Sequence, residues 1–190
     1  MYQSLKNTFE KILKISNEDW RAFELILETK ELKKKEYLLK QGQICQGIYF
    51  LSKGLIRTFY INDNGKEINT SFYLQNDFLR EIESMTNNIP STKNIQAIED
   101  STVFYIDKIK LTNLYEKSGF YQKMGRMILE KLTIIEQKYS SLLIGHPPKD
   151  RYLHVLENNP ELVKRIPLQY LATYLGISRE SLSRIRKRIS

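Results

Sequence analysis

The chain has 190 residues, with 30 Lys and Arg against 22 Asp and Glu, a formal charge of +8 and an isoelectric point near 9.4. This length allows one large domain or a medium domain plus a small one, and the charge favours polyanionic partners, either nucleic acid or an acidic membrane surface. The single cysteine, Cys45, excludes an internal disulfide and any cluster that needs several thiolates. Residues 1–17 are charged and amphipathic, unlike a signal peptide, and no stretch approaches the roughly 20 apolar residues of a membrane span. A cytoplasmic protein with no membrane partner is expected.

In chain order, residues 4–15 place Leu5, Phe9, Ile12 and Leu13 at helical spacing. Asn17, followed by Glu18, Asp19 and Trp20, reads as a cap with an acidic first turn, opening a second helix to about Leu27. The run Lys33-Lys34-Lys35 reads as a solvated strand edge in preference to a phosphate patch. From Glu36 to Ile106 the period changes to strands. They are predicted at 37–39, 47–51, 55–61, 67–74, 94–98 and 102–106. Turns fall at Gln41-Gly42-Gln43, Ser52-Lys53-Gly54 and Asn76-Asp77, and Asn62-Asp63-Asn64-Gly65-Lys66 is a strong hairpin signal because Asn and Gly tolerate positive φ. Short strands at this density predict a jelly-roll-like barrel.

A short helix over 109–116 is expected to stop near Gly119, and a long one then runs over 120–143. Tyr121, Gly125, Ile128, Leu132, Ile135, Tyr139 and Leu142 alternate by four and three, a heptad seam. Phe120, Met124, Met127 and Ile134 form a second apolar strip. Two strips on one helix suit a dimer interface with the helix's own domain behind it. Gly145-His146-Pro147-Pro148 is the clearest boundary, since two prolines end a helix and fix a hinge. A helix is predicted over 150–158, broken at Asn158-Asn159-Pro160, and 163–166 reads as extended.

Residues 166–190 pattern as two short helices joined by a tight turn. Pro167 suits a first helical turn. Leu168, Leu171, Ala172 and Leu175 recur at helical spacing, and Gly176 can end that helix in the left-handed region. Ser178 can cap the next helix, with Ser181 as a second start. Leu182, Ile185 and Ile189 give it one narrow apolar stripe. Arg179, Glu180, Ser183, Arg184, Lys187 and Arg188 face elsewhere. A small residue at Ala172, a turn glycine and apolar Ile177 are helix-turn-helix chemistry, whose second helix enters the major groove by its N-terminal part. There Arg can bond guanine O6 and N7, and Glu can accept from cytosine N4. Between residues 149 and 190 nine cations stand against four anions, so most of the basic excess sits here.

The segment Ile-Ser-Arg-Glu-Ser-Leu-Ser-Arg-Ile-Arg-Lys, from Ile177, resembles the recognition helix of the Crp/Fnr transcription regulators at Ser178, Arg179, Glu180, Leu182 and Arg184. Gly42 and Tyr49-Phe50-Leu51-x-x-Gly54-x-x-Arg57 are similar to the effector-domain strands of that family, with Arg57 on an outward strand. The resemblance covers about residues 32–190. It implies an α+β protein: an N-terminal jelly-roll-like β-roll with flanking helices (1–119), a dimerisation helix and hinge (120–145), and a helix-turn-helix domain (146–190). That last domain resembles a winged helix, and its wing is expected to be missing because the sequence stops at Ser190. The implied function is a homodimeric, sequence-specific regulator that binds double-stranded DNA, with RNA polymerase as a further partner. Arg179, Glu180 and Arg184 are the implied base readers, joined by Ser178, Ser183 and Lys187.

The ligand cassette departs from the family pattern. Cyclic-nucleotide binders carry a Gly-Glu pair opening a short helix, and an Arg before Ser or Thr about ten residues on. Backbone N–H groups and the Arg hold the phosphate, and the Glu takes the ribose hydroxyl. Here Glu81 remains, Arg80 stands for the glycine, and Thr92, after Ser91, stands for the phosphate Arg. Glu136 and Gln137 fall where the resemblance places hydroxyl residues of the long helix facing the nucleotide. The candidate ligand residues are therefore Arg80, Glu81, Ser91 and Thr92, in a degenerate site. An unknown small-molecule effector, or none, is expected in place of a cyclic nucleotide, and no iron–sulfur cluster. Two other readings stay open: a ligand-sensing module whose basic tail binds protein or RNA, and a regulator that does respond to cyclic nucleotide. His146 and His154 lack partners at metal-ligand spacing, and no Gly-rich phosphate loop occurs, so neither a metal site nor a catalytic residue is expected.

Overall fold

The computed structural model describes residues 1–189; Ser190, and with it the end of the expected helix-turn-helix domain, lies outside them. Two short helices, α1 (Gln3–Glu10) and α2 (Asn17–Glu24), precede eight strands: β1 (Leu27–Leu32), β2 (Tyr37–Leu39), β3 (Gly47–Lys53), β4 (Ile56–Ile61), β5 (Glu67–Tyr73), β6 (Phe78–Leu79), β7 (Asn94–Ala97) and β8 (Ser101–Asp107). Helix α3 (Ile82–Asn87) interrupts the strands after β6. Then follow α4 (Lys108–Lys117), the long α5 (Gly119–Gly145), α6 (Pro148–Asn158), α7 (Pro160–Arg165), α8 (Leu168–Tyr174) and α9 (Arg179–Ile189).

The strands form two four-stranded antiparallel sheets, in the orders β1-β8-β3-β6 and β2-β7-β4-β5. Leu32, Leu51, Ile56, Leu79, Ile95 and Val103 from both sheets fill the space between them. The α+β class and the β-roll follow the sequence pattern. The hairpin at 62–66 closes as its Asn and Gly require, with the Asn62 N–H donating to Lys66 O at 3.0 Å.

Several elements differ from the sequence expectation, each for a physical reason. Helix α1 ends at Glu10, not near residue 15. The cap of α2 is Ser16, whose hydroxyl accepts from the Asp19 N–H at 3.0 Å, so Asn17 is the first helical residue. Leu27 belongs to strand β1, where only the two end residues are buried and the four between them are exposed. Such an edge strand has no period-2 signal to read. The three lysines after β1 form a turn: Lys33 pairs with Asp100 at 3.0 Å, and Lys35 takes a positive φ of 74°. Residues 163–166 are not extended, because α7 opens on Pro160 and buries Leu162 and Val163. Pro167 is the cap residue of α8, its carbonyl accepting from the Tyr170 and Leu171 N–H groups at 2.9 and 3.1 Å.

The long helix uses its two apolar strips differently from the simple heptad reading. Tyr121 and Met124, one from each strip, are buried in the core made by Leu5, Phe9, Trp20, Phe23 and Phe104, with Ile128 and Leu132 packed against it. The Tyr121 hydroxyl donates to Asp19 O at 2.8 Å. Further along, Leu142 joins the C-terminal core. What α5 leaves exposed is Leu129, Ile134 and Ile135, at 43%, 51% and 52% of their surface, and Ile144 near its end, at 84%.

The C-terminal helices rest against the outer face of the β2-β7-β4-β5 sheet. Leu55 and Ile98 of the roll share one core with Tyr152, Leu162, Leu171, Leu175 and Leu182. Beside this seam lies Arg57, 2% exposed. Its guanidinium is sandwiched between the rings of Phe59 and Tyr170, 3.9 and 3.8 Å from their centroids. It donates to Gln96 Oε1 at 3.0 and 2.6 Å, to Glu67 Oε2 at 2.6 Å and to Asn69 Oδ1 at 3.3 Å. Asn69 in turn donates through Nδ2 to Thr173 Oγ1 at 2.8 Å. Around this node, Tyr174 packs edge-on against Phe72 and stacks on Tyr139 of α5. Arg57 thus lies on an outward strand as expected, yet covered by α8.

Removing the Arg57 side chain strips a buried charge of its role and leaves Gln96 and Asn69 short of a donor. Arg57→Ala is expected to lower stability by about 3 kcal/mol, the low end for a broken buried pair because Glu67 is partly exposed and rehydrates. Urea unfolding followed by circular dichroism measures this, and an unchanged midpoint would show that the node contributes nothing.

Candidate nucleic-acid interface and effector region

Helix α9 is anchored by Leu182, with Ile185 and Ile189 half-buried against the same core. Leu182 is fully buried among Leu171, Ala172 and Leu175, and the small Ala172 lets α8 and α9 approach. The turn between them follows its sequence signals. Gly176 has φ +68°, and a Cβ there would stand 3.2 Å from Arg151 Nη1, so both conformation and space favour glycine. The Ile177 N–H donates to Ala172 O at 3.0 Å, the reach-back bond of a Schellman-type helix end.

Ser178 caps α9. Its Oγ accepts from the Ser181 N–H at 3.1 Å, and its hydroxyl also lies 3.0 Å from Ser181 Oγ. Arg184 Nη2 donates to that Ser181 oxygen at 3.1 Å, one turn along. Ser181 was legible only as an alternative cap; here it braces Arg184, and an i, i+3 Ser–Arg spacing is the signal that points to it. Glu180 sits at the positive end of the helix. Its own backbone N–H first, and the Ser178 hydroxyl next, hold its carboxyl below the usual range, with Arg179 and Arg184 adding to the effect.

Ser178, Arg179, Glu180, Arg184 and Lys187 are exposed, and Ser183 is half-buried. The structure brings these six onto one short helix. Arg151 is engaged within the chain: its Nε donates to His146 O at 2.7 Å and its Nη1 to Leu175 O at 3.0 Å. It ties the end of α5 to the end of α8. Arg165 similarly holds the end of α7 to the roll through Gly54 O, at 3.0 Å, and Glu99.

The four candidate ligand residues are engaged in different ways. Glu81 is 3% exposed and caps α3, accepting from the Ser84 N–H at 2.7 Å, with Lys93 Nζ 3.6 Å away. Ser91 is buried, its hydroxyl donating to Lys93 O at 2.9 Å and accepting from the Lys93 N–H at 3.0 Å. Thr92 is exposed. Arg80 lines a cavity bounded by β6, α3, α4 and α5. Ser84 completes the internal network by accepting from the Cys45 N–H at 2.9 Å and donating to Ile89 O at 2.6 Å. Among the described residues, no group of three or more His, Cys, Asp or Glu side chains could hold a metal ion, and no helix is long and apolar enough to cross a membrane.

A β-roll with a short helix between its sixth and seventh strands, a long helix behind it and a helix-turn-helix at the end together define the architecture. The comparisons with known proteins agree. The cyclic nucleotide-binding domain family matches residues 29–118. The chain is 24% identical to the Anaerobic regulatory protein of Bacillus subtilis over 183 residues, 90% of this chain and 76% of that one. It is also 24% identical to the Transcriptional activator protein Anr of Pseudomonas protegens over 187 residues, 91% of this chain and 75% of that one. Its fold is similar to the crystal structure of a Crp/Fnr-family regulator from Eubacterium rectale, with a TM-score of 0.73, 17% identity, and 96% and 87% of the two chains covered. Residues 29–118 thus carry the likeness to a cyclic nucleotide-binding domain, and the chain is similar along most of its length to proteins named as transcription regulators.

Ser178→Ala removes the cap of α9 and is expected to cost about 1 kcal/mol. Ser178→Asp keeps a cap oxygen at the helix N-terminus and should fall within a few tenths of that of the parent chain. Thermal denaturation of both variants checks this; equal melting of Ser178→Ala and parent would remove the capping role.

Proposed function

We propose that the protein is a homodimeric, sequence-specific DNA-binding regulator whose α9 lies in the major groove. The observation that carries this reading is the division of labour on α9. Leu182 fixes the helix to the body, while Arg179, Glu180, Arg184 and Lys187 stand in solvent along it. Arg179 and Glu180 occupy the first turn, the part of a recognition helix that meets base edges. Arg184 comes to the groove already braced by Ser181, which reduces the side-chain entropy it must give up. Lys187, further along, suits a phosphate. Ser178 and Ser183 flank the readers as hydroxyl donors.

Self-association is supported by α5. The large apolar side chains Leu129, Ile134, Ile135 and Ile144 there have no cover in one chain, and a second copy of the helix would give it. In such a dimer two α9 helices would meet two half-sites in inverted repeat. RNA polymerase as a further partner rests on the family resemblance alone.

For the effector, the cassette supports a ligand other than a cyclic nucleotide. The carboxylate that would take the ribose hydroxyls is used to cap α3, and the position of the phosphate Arg is an exposed threonine. Cys45 is buried, with its thiol donating to Gly47 O at 3.2 Å, and it is the one cysteine in the sequence, so a cysteine-ligated iron–sulfur cluster does not fit either.

Two variants test the DNA reading. Arg184→Ala should cost about 1–3 kcal/mol at one base position and relax specificity there. Lys187→Ala should weaken all duplexes alike and reduce the salt slope by about one. Gel-shift titrations against selected duplex, random duplex and single-stranded RNA measure both. Equal losses on selected and random DNA for Arg184→Ala would take it out of the base-reading set. Preferential binding of the single-stranded RNA would overturn the duplex assignment.

A further inference from the structure

The cavity that Arg80 lines has a volume of about 270 Å³. It lies between the roll and the long helix, away from Glu81, Ser91 and Thr92. Its walls are mostly apolar: Phe78 from the roll, Ile82 and Met85 from α3, Leu111 from α4, and Ile128 and Leu129 from α5. No Asp or Glu lines it, whereas two cations do, Arg80 and Lys108. Lys108 Nζ is spent on Met85 O, bridging α4 to α3.

Arg80 is half-buried, and its Nε is buried without a hydrogen-bond partner. A guanidinium cannot shed its proton to escape burial, and buried donors in native proteins are almost always matched. A donor left over at the wall of an apolar cavity is a request for an acceptor that the chain itself does not supply. The space has been made locally as well. Tyr115 reaches across to α5 only because position 125 is glycine, where a Cβ would stand 2.5 Å from the Tyr115 hydroxyl.

We propose that this cavity is a binding site for an apolar molecule bearing one carboxylate, with the carboxylate on Arg80 and the apolar body between α3, α4 and α5. Size agrees with that class. An apolar cavity of about 150 Å³ takes a benzene, and drug-sized ligands occupy about 300 Å³ upward. A medium-chain carboxylic acid falls between the two. The absence of a competing carboxylate on the walls makes the site selective for anions over cations, and the apolar walls exclude a nucleotide-like polar body.

The test is isothermal titration calorimetry of the full chain with decanoate, below its micellar concentration, and with decanol as the neutral match. The assay contains no DNA, so its outcome is separate from that of the DNA reading. Decanoate is expected to saturate at one per chain. Arg80→Met should weaken decanoate roughly tenfold or more, the loss expected for a hydrogen bond to a charged group, and leave decanol within about twofold. Thr112→Trp, at an exposed position on the rim, should block both. If Arg80→Met does not fold, Arg80→Lys, which keeps the charge and moves the donor, makes the same comparison. No saturable decanoate heat in the parent chain would overturn the proposal, as would decanoate binding unaltered by the Arg80 substitution or by Thr112→Trp.

Discussion

The fold turns on one buried guanidinium. Arg57 stands on a sheet face that would otherwise look outward into water, and it is kept dry by Tyr170 of α8. A cation there is tolerable only because Gln96, Glu67 and Asn69 accept its protons and two ring faces cover its plane. The arrangement therefore constrains α8 as much as it constrains the roll. Asn69 carries the network on to Thr173, and the Tyr139–Tyr174 stack carries it to the long helix. The helix-turn-helix is thus placed by polar contacts of specific geometry, beside an apolar seam that by itself would allow sliding.

From that placement the rest follows in sequence. With α8 held by its outer face, its inner face carries Leu171, Ala172 and Leu175, and these take Leu182 of α9. One fully buried leucine then suffices to orient a helix that is otherwise strongly basic. Arg151 secures the other side of the same turn by bonding the ends of α5 and α8. The long helix is in contact with both ends of the molecule: its first half packs on the N-terminal helices and the roll, and Leu142 enters the C-terminal core. A ligand in the cavity beside its first half and a partner along its exposed strip would therefore act on the same rigid element that supports α8. Coupling of that kind needs an element with two arrangements, and the α5–α8 contact is where such a choice would be made.

The sequence made the local rules visible and the long-range ones invisible. The strand hairpin at 62–66, the left-handed Gly176 and the Ser178 cap are each fixed by residues within a few positions of one another, and all were readable. So was the roll, because its strands alternate or run apolar. Strand β1 was not, since it is an edge with four exposed residues and its identity depends on pairing with β8, more than seventy residues on. Helix α7 was missed because Val163 and Ile166 fit a strand as well as a turn of helix, and only packing on the C-terminal core decides. The division of the α5 strips was blurred because a wide apolar face contains several possible seams. In the site, α9 and its basic face were legible from capping and charge. The aim of Arg80 was not: it is adjacent to Glu81 in sequence, yet the two serve different elements, one lining a cavity and one capping α3. Arg57 gave a hint, as a lone cation in an apolar strand, but its partner Tyr170 lies in another layer of the structure.

The proposed function has two copies of α9 reading DNA together. Selection of bound sequences from a random duplex pool by the full chain tests it most directly. The account predicts enrichment of an inverted repeat whose half-site centres lie about one helical turn apart, roughly 10–10.5 base pairs. A pool that stays random after repeated rounds, or that yields a single unrepeated site, would contradict it.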